Sequence, residues 1–324
     1  MRQLSVSVAM CTWNGEQFLE EQLRSISSQT RLPSELIISD DASTDGTREL
    51  IHDFIRSAPF PVRLSLNEQR VGVQRNFEVA INMCKGDIIF PADQDDVWLP
   101  HKVARLSGPF EHAQDVGLVF CDLYVVSESL QPFGYTLCRA VGYSRAMQRE
   151  LARGWAFQAL MKHNVVVGAA MAFRASLTNH LLPIGGGWMH DEWIALIASA
   201  MSDVVPIHEP LVNYRLHKGQ SIGARKLNLV DQFRYAREQM NVDYFKRMVE
   251  RSSAAHDRLL ALHANLRDPV YIQLMQARFA HSQARLRLRV RHARRLPTVL
   301  KELIRGNYGL FGYGWRSVAQ DLFL

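Results

Sequence analysis

The chain predicts an α/β protein built on a mostly parallel sheet flanked by helices, and three observations predict it. Up to about Phe120, short apolar runs of strand length alternate with segments of helical periodicity, the pattern of repeated strand-helix units. Two of the apolar runs end in acid clusters, Asp40-Asp41 and Asp93-Gln94-Asp95-Asp96, as at the carboxyl edge of a doubly wound sheet where ligands bind. The 324 residues, 47% hydrophobic and 22% charged, suffice for a full core.

The elements follow in order. Leu4, Val6, Val8 and Met10 alternate as a first strand, and this stretch lacks the apolar run of a signal peptide. A helix over Glu16–Ser28 carries Phe18, Leu19, Gln22, Leu23 and Ile26 on one face, apolar except for Gln22. Leu36–Ser39 is the second strand, followed by a helix with Leu50, Ile51, Phe54 and Ile55 together. Val62–Leu66 is the third strand, followed by a helix carrying Phe77, Ala80, Ile81 and Cys84. Asp87–Phe90 and Gly117–Tyr124 are further strands, with a helix starting near Trp98 between them. After Gly142 the pattern becomes a helix near Arg145–Lys162, a strand at Val165–Phe173, a loop Gly185-Gly186-Gly187 and a helix from Asp191 to Ser202. Beyond about Lys226 only helical periodicity remains.

Charge divides the chain at the same place. Residues 1–224 carry a net charge of −5 and residues 225–324 a net +11, so an acidic body precedes a basic helical extension. Cys11, Cys84, Cys121 and Cys138 are widely spaced, form no CxxC pair, and fit small core side chains in a reducing cytoplasm. No run of 18 apolar residues exists to span a bilayer.

The acid clusters carry the chemistry. Carboxylates crowded on a rigid sheet edge repel one another, so a cation or cationic partner is expected to neutralise them, and a divalent metal site follows. The alternative is a solvated loop in which Asp96 caps the next helix. Thr12-Trp13-Asn14-Gly15 follows the first strand, and by itself reads as a plain Asn-Gly turn. In the turn after Asp40 and Asp41, Asp45 suits a helix cap.

Taken in order, Thr12-Trp13-Asn14-Gly15, Ser39-Asp40-Asp41-Ala42-Ser43-Thr44-Asp45-Gly46-Thr47, Asn76-Phe77 and Asp93-Gln94-Asp95-Asp96-Val97-Trp98 resemble family 2 glycosyltransferases of the GT-A fold, and among them the rhamnosyltransferase-type enzymes of bacterial surface polysaccharides. The resemblance spans about Leu4 to Gly223. It implies a GT-A domain over 1–224, with a nucleotide-sugar-binding half at 1–123 and an acceptor-binding half at 124–224, before the basic extension at 225–324.

It further implies that Thr12, Asn14, Asp40 and Asp41 surround the nucleotide base and ribose. Asp93 would approach the ribose and sugar, Asp95 would hold Mg²⁺ or Mn²⁺ against the diphosphate, and Asp96 would either face the donor sugar or cap a helix. In Trp188-Met189-His190-Asp191-Glu192-Trp193, Asp191 would be the general base, with Glu192 as its substitute and plain helix-start acids as the alternative. Tyr214–Gly223 resembles a loop that closes over the diphosphate, with Arg215, His217 and Lys218 reaching phosphate oxygens and His217 also the metal. The residue after Gly168 is Ala, where related enzymes often carry a small polar side chain. Gly72 and Asn76 lie where the family approaches its donor, although a helix cap and a core amide explain them equally well.

The implied function is inverting transfer of a sugar, rhamnose being one candidate, from a dTDP- or UDP-sugar to a hydroxyl of a lipid-linked or growing glycan. The expected place is the cytoplasm, on or near the inner face of the membrane. Arg285, Arg287, Arg289, Arg291, Arg294 and Arg295, interleaved with Leu286, Leu288 and Val290 and followed by Leu300, Leu303, Ile304, Tyr308, Leu310, Phe311, Tyr313 and Trp315, suit an anionic membrane surface. A helix packed on the body is the alternative. A nucleotidyltransferase would carry a glycine-rich, lysine-bearing loop where Trp13-Asn14-Gly15-Glu16 stands. A nucleic-acid binder acting through the arginines is countered by the acidic body, so no nucleic-acid partner is expected.

Overall fold

A computed structural model of the protein describes residues 3–217, 240–290 and 295–323. The elements are β1 (Val6–Thr12), α1 (Leu19–Ser27), β2 (Glu35–Asp40), α2 (Thr47–Ser57), β3 (Val62–Leu66), α3 (Val73–Met83), β4 (Ile88–Ala92), β5 (Val97–Trp98), α4 (Lys102–His112) and β6 (Val116–Val126). Then come β7 (Pro132–Thr136), α5 (Leu137–Ala140), α6 (Arg145–Ala152), α7 (Ala156–Lys162), β8 (Met171–Arg174), α8 (Thr178–Leu181), α9 (His190–Met201) and β9 (Asp203–Arg215). The extension supplies α10 (Val242–Ala261), α11 (Val270–Val290), α12 (Arg295–Ile304), α13 (Asn307–Phe311) and α14 (Trp315–Phe323). Two compact units result: residues 1–156, 165–184 and 189–224 form one, and residues 157–164, 185–188 and 225–324 the other.

The first unit holds a single sheet in the order β3-β2-β1-β4-β8-β6-β9-β5, with β7 on β6. The strands β3, β2, β1 and β4 are mutually parallel, whereas β8 runs antiparallel to both its neighbours. The central strands β1, β2 and β4 are almost wholly buried because both faces are covered, and Val8, Met10, Leu36, Ile38, Ile88 and Phe90 pack with Leu19, Leu23, Ile26 and Ile51 from α1 and α2. Thr12 pairs with Asp40 in register, so the first two strands deliver their polar ends to the same edge.

Three expectations are corrected, and one strand was not foreseen. No helix starts near Trp98: Val97 and Trp98 pair with Asn213 and Val212 as a short strand, and α4 begins at Lys102. Residues 165–173 are a strand only from Met171, since Gly168–Ala170 wind into a 3₁₀ turn. The helix expected over Arg145–Lys162 is broken in two at Gly154, whose φ is +80°. β9 was not legible, because Pro206 and Pro210 interrupt its pattern; its register against β6 shifts between Cys121 and Asp122, where a bulge absorbs them. The expected boundary at Ala224 and the loop residues Lys218–Gly223 lie outside the described residues.

In the second unit, Arg285 and Arg289 are not surface cations. Both pair with the fully buried Asp321, at 2.7 and 3.0 Å, and Tyr308 donates to the same carboxylate. Leu288, Tyr308 and Phe311 are buried as well. This part of the arginine and aromatic pattern is core, while Arg291 and Arg294 lie outside the described residues. What remains exposed is a stripe on α12, Leu296, Leu300 and Ile304 at i, i+4 and i+8, with Tyr313 and Trp315 beyond it. No helix among the described residues is long and apolar enough to cross a membrane.

Candidate active site

The site begins where β1 and β2 end. Thr12 Oγ1 donates to Asp40 Oδ1 at 2.9 Å, and Asp40 also receives the Ser43 amide, the Ser43 hydroxyl and Arg48 Nε. Asp41 accepts from the amides of Val71 and Gly72 and from Asn67 Nδ2. Asp40 and Asp41 are 0% and 2% exposed, so most of their acceptor capacity goes to shaping the loops around them. Asn14, at φ +46°, accepts from the Thr44 amide and joins the two turns; it is exposed, as is Trp13 beside it, over which Arg70 stacks at 3.4 Å. Asp45 accepts the Thr47 amide at the start of α2, but Gly46 holds the cap position and no side chain caps the helix. Gly72, at φ +87°, precedes α3, and Asn76 is a buried amide bonded to the Ser39 carbonyl.

The acidic turn between β4 and β5 is held from three sides. From α1, Gln22 Nε2 donates to the Asp93 carbonyl at 2.9 Å, which explains the single polar residue on that helix's apolar face. Gln94 bridges both backbone groups of Trp13, at 2.8 and 3.0 Å, and Gly15 has no room for a Cβ because Gln94 fills it. From β9, the Arg215 amide donates to Asp96 Oδ1, its Nε to the Asp95 carbonyl at 2.8 Å, and its remaining nitrogens to the Glu128 carbonyl and the Glu21 carboxylate.

Arg215 is 2% exposed, with its guanidinium 4.6 Å from the Phe18 ring. The expectation that it reaches phosphate is therefore corrected: it is a clamp inside the turn. Asp96 is corrected too. It lies buried beneath the turn with one carboxylate oxygen unpartnered, and caps no helix.

Four expected residues do meet here. His217 Nε2 lies 2.8 Å from Asp95 Oδ2, its ring tilted on Phe18 at 4.7 Å. Burial, then the Asp95 and Asp191 carboxylates, push the Asp93 carboxyl up to about 7, against a smaller pull from Lys102. Burial, then Asp95 and Asp93, raise Asp96 as well. The Tyr214 hydroxyl is raised by burial and then by the nearby acids Asp96, Asp93, Asp95 and Asp191. Asp191 sits in the first turn of α9, where its carboxylate accepts the Gly168 amide at 3.1 Å and the Glu192 amide at 2.7 Å.

Sequence reasoning missed Gln22, Gln94, Arg215 as a clamp, Tyr214 and Lys102. Only Gln22 left a signal, a polar residue at an apolar helical position.

The donor set suits a hard or borderline cation. Asp95 offers carboxylate oxygen, which Mg²⁺ and Mn²⁺ both accept, and His217 an imidazole nitrogen, which suits a transition ion such as Mn²⁺ better than Mg²⁺. Among the described residues no three His, Cys, Asp or Glu side chains gather closely enough to bind an ion alone, so phosphate oxygens and water have to complete the shell.

A curled α/β sheet with acids converging at its carboxyl edge and a helical region after it is the GT-A-like arrangement. It matches the structure of S. aureus TarS 1-349 in complex with UDP-GlcNAc at a TM-score of 0.59, with 15% identity over 86% of this chain and 72% of that one. It also matches the mannosyltransferase PcManGT from Pyrobaculum calidifontis in complex with GDP-Man and Mn²⁺ at 0.53, with 18% identity over 99% and 80%. Residues 7–175 match Glycosyl transferase family 2, and the chain belongs to that family.

Curated relatives include the abequosyltransferase RfbV of Salmonella typhimurium, 34% identical over 36% of this chain and 35% of that protein. Another is the dTDP-rhamnosyl transferase RfbG of Shigella flexneri, 36% identical over 29% and 34%. The aligned part spans about a third of each of these relatives.

Proposed function

We propose that this protein is an inverting, metal-dependent glycosyltransferase that moves a sugar, rhamnose or another surface-polysaccharide sugar, from a dTDP- or UDP-sugar to a hydroxyl of a lipid-linked or growing glycan. The observation that carries the reading is the convergence of Asp93, Asp95, His217 and Asp191 on one crevice of a family 2 fold. The relatives named for abequose and dTDP-rhamnose transfer support the sugar class.

In this reading Thr12, Asn14, Asp40 and Asp41 shape the base and ribose pocket, and Asp93 lies against the ribose and sugar. Asp95 and His217 hold Mg²⁺ or Mn²⁺, which when bound neutralises the charge left on the departing diphosphate. Asp191 accepts the acceptor hydroxyl's proton as that oxygen bonds to the anomeric carbon. The bond from carbon to diphosphate oxygen breaks on the opposite face, so configuration inverts. The Gly168 and Glu192 amides fix the carboxylate's orientation.

The test is a thermal-shift screen of dTDP- and UDP-sugars with and without Mn²⁺, followed by transfer assays. Asp95→Asn is expected to abolish Mn²⁺-dependent transfer. Asp191→Asn is expected to keep donor binding while transfer falls by about 10²–10⁴. Wild-type transfer by either variant refutes that residue's role, and stabilisation by no nucleotide sugar refutes the reading as a whole.

A further inference from the structure

Lys102 opens α4 and is 0% exposed. Its ammonium lies 3.2 Å from the centre of the Trp98 ring and donates to the Ala169 carbonyl at 2.6 Å. A buried lysine costs more than a methionine of similar volume, so its presence in a core position asks for a compensating role. Burial pushes its ammonium down to about 7, and Cys121, Asp96 and Asp93 pull the other way, so the acidic turn lies within its electrostatic reach.

The carbonyl it holds belongs to the Gly168–Ala170 turn, and that turn is held again from its other end. The Gly168 amide donates to Asp191 Oδ2 at 3.1 Å. Gly168 itself has no space for a side chain, because a Cβ there would stand 2.5 Å from His190 Nε2, and His190 is fixed by stacking on Phe77 at 3.7 Å. Less than two residues of backbone therefore separate the group bound by Lys102 from the group that binds Asp191. The turn is wedged between the acidic strand ends and the start of α9.

We propose that Lys102 is a positioning residue that sets the Asp191 carboxylate through the Gly168–Ala170 turn, coupling the acidic half of the crevice to the base half. The proposal rests on the reading of Asp191 as the base. Without the ammonium, the Ala169 carbonyl is buried unpaired, the turn shifts to find a donor, and the Gly168 amide leaves its place against Asp191. The hydrogen bonds that hold the ends of β1 and β2 and the acidic turn involve no atom of Lys102, so the donor contacts are expected to change less than the base does.

The experiment is a double-mutant cycle in the full chain, with Lys102→Met, Asp191→Asn and both, measuring transfer kcat per nucleotide-binding site and the donor KM. Lys102→Met is expected to lower kcat by about 10–100-fold, as a displacement of about 1 Å would, and to leave the donor KM within about threefold. In the Asp191→Asn background the same substitution is expected to change the remaining rate less than about twofold, because its target is gone. A merely structural role lowers the population of binding-competent protein but leaves kcat per site untouched. Equal losses in both backgrounds, or a loss confined to the donor KM, overturn the proposal.

If Lys102→Met does not fold, Gly168→Ala perturbs the same turn from the His190 side and is held to the same non-additivity. Asp191→Asn transferring at the wild-type rate refutes instead the base reading on which the proposal stands.

Discussion

Replacing Arg215 with methionine keeps the buried alkyl volume and removes everything the guanidinium does. Two partly buried backbone carbonyls, of Asp95 and Glu128, lose their charged donor, at about 1–3 kcal/mol each. The ion pair with Glu21, whose side chain is 52% exposed, adds at most about 1 kcal/mol because water screens it. Loss of the contact over Phe18 removes about 1–2 kcal/mol more, since this cation is desolvated. The sum is about 3–9 kcal/mol, and relaxation of the turn places the expected cost near its lower end, about 4 kcal/mol.

For a unit of roughly 200 residues this lowers Tm by about 8–16 °C. The assay is a melt of wild type and Arg215→Met with and without nucleotide and Mn²⁺; the turn that carries Asp93, Asp95 and Asp96 loses its clamp, so the stabilisation by ligand is also expected to shrink. A Tm within 3 °C of wild type would mean that the carbonyls find other donors and that Arg215 is not the anchor argued here.

Two further outcomes concern the helical unit. His281 donates to Glu302 across 2.7 Å while burial holds its imidazole below the ordinary 6.5, so it is neutral when folded at pH 7. The unfolded chain takes up that proton near 6.5, so the contribution is present above this pH and lost as pH falls towards the lower folded value; the Tm advantage of wild type over His281→Gln is expected to be larger at pH 7.5 than at pH 5.5, and an advantage that grows on acidification contradicts the assignment. The exposed stripe of α12, flanked by Lys301 and Arg305 in the basic extension, suits an anionic bilayer surface. Anionic vesicles are expected to retain the full chain several-fold better than a Leu300→Asp, Ile304→Asp variant, with neutral vesicles retaining neither; equal retention of both on anionic vesicles, or a change of oligomeric state in the variant, removes this surface from the membrane.

The sequence by itself determined the parallel strands, the helices between them, the two acid-bearing strand ends and the family, because these depend on local periodicity and short contiguous motifs. Asp191 was legible for the same reason, as a carboxylate at the start of a helix after a glycine loop. Tertiary structure alone decided which polar residues are spent inside. Arg215 carries the same charge whether it binds phosphate or the carbonyls and the Glu21 carboxylate around the acidic turn, and only burial of the β9 end against that turn settles which. Likewise Arg285 and Arg289 read as surface until Asp321, more than thirty residues away in the chain, is seen between them. Contacts of that separation depend on how distant segments pack, and no pattern within a window of ten or twenty residues encodes them.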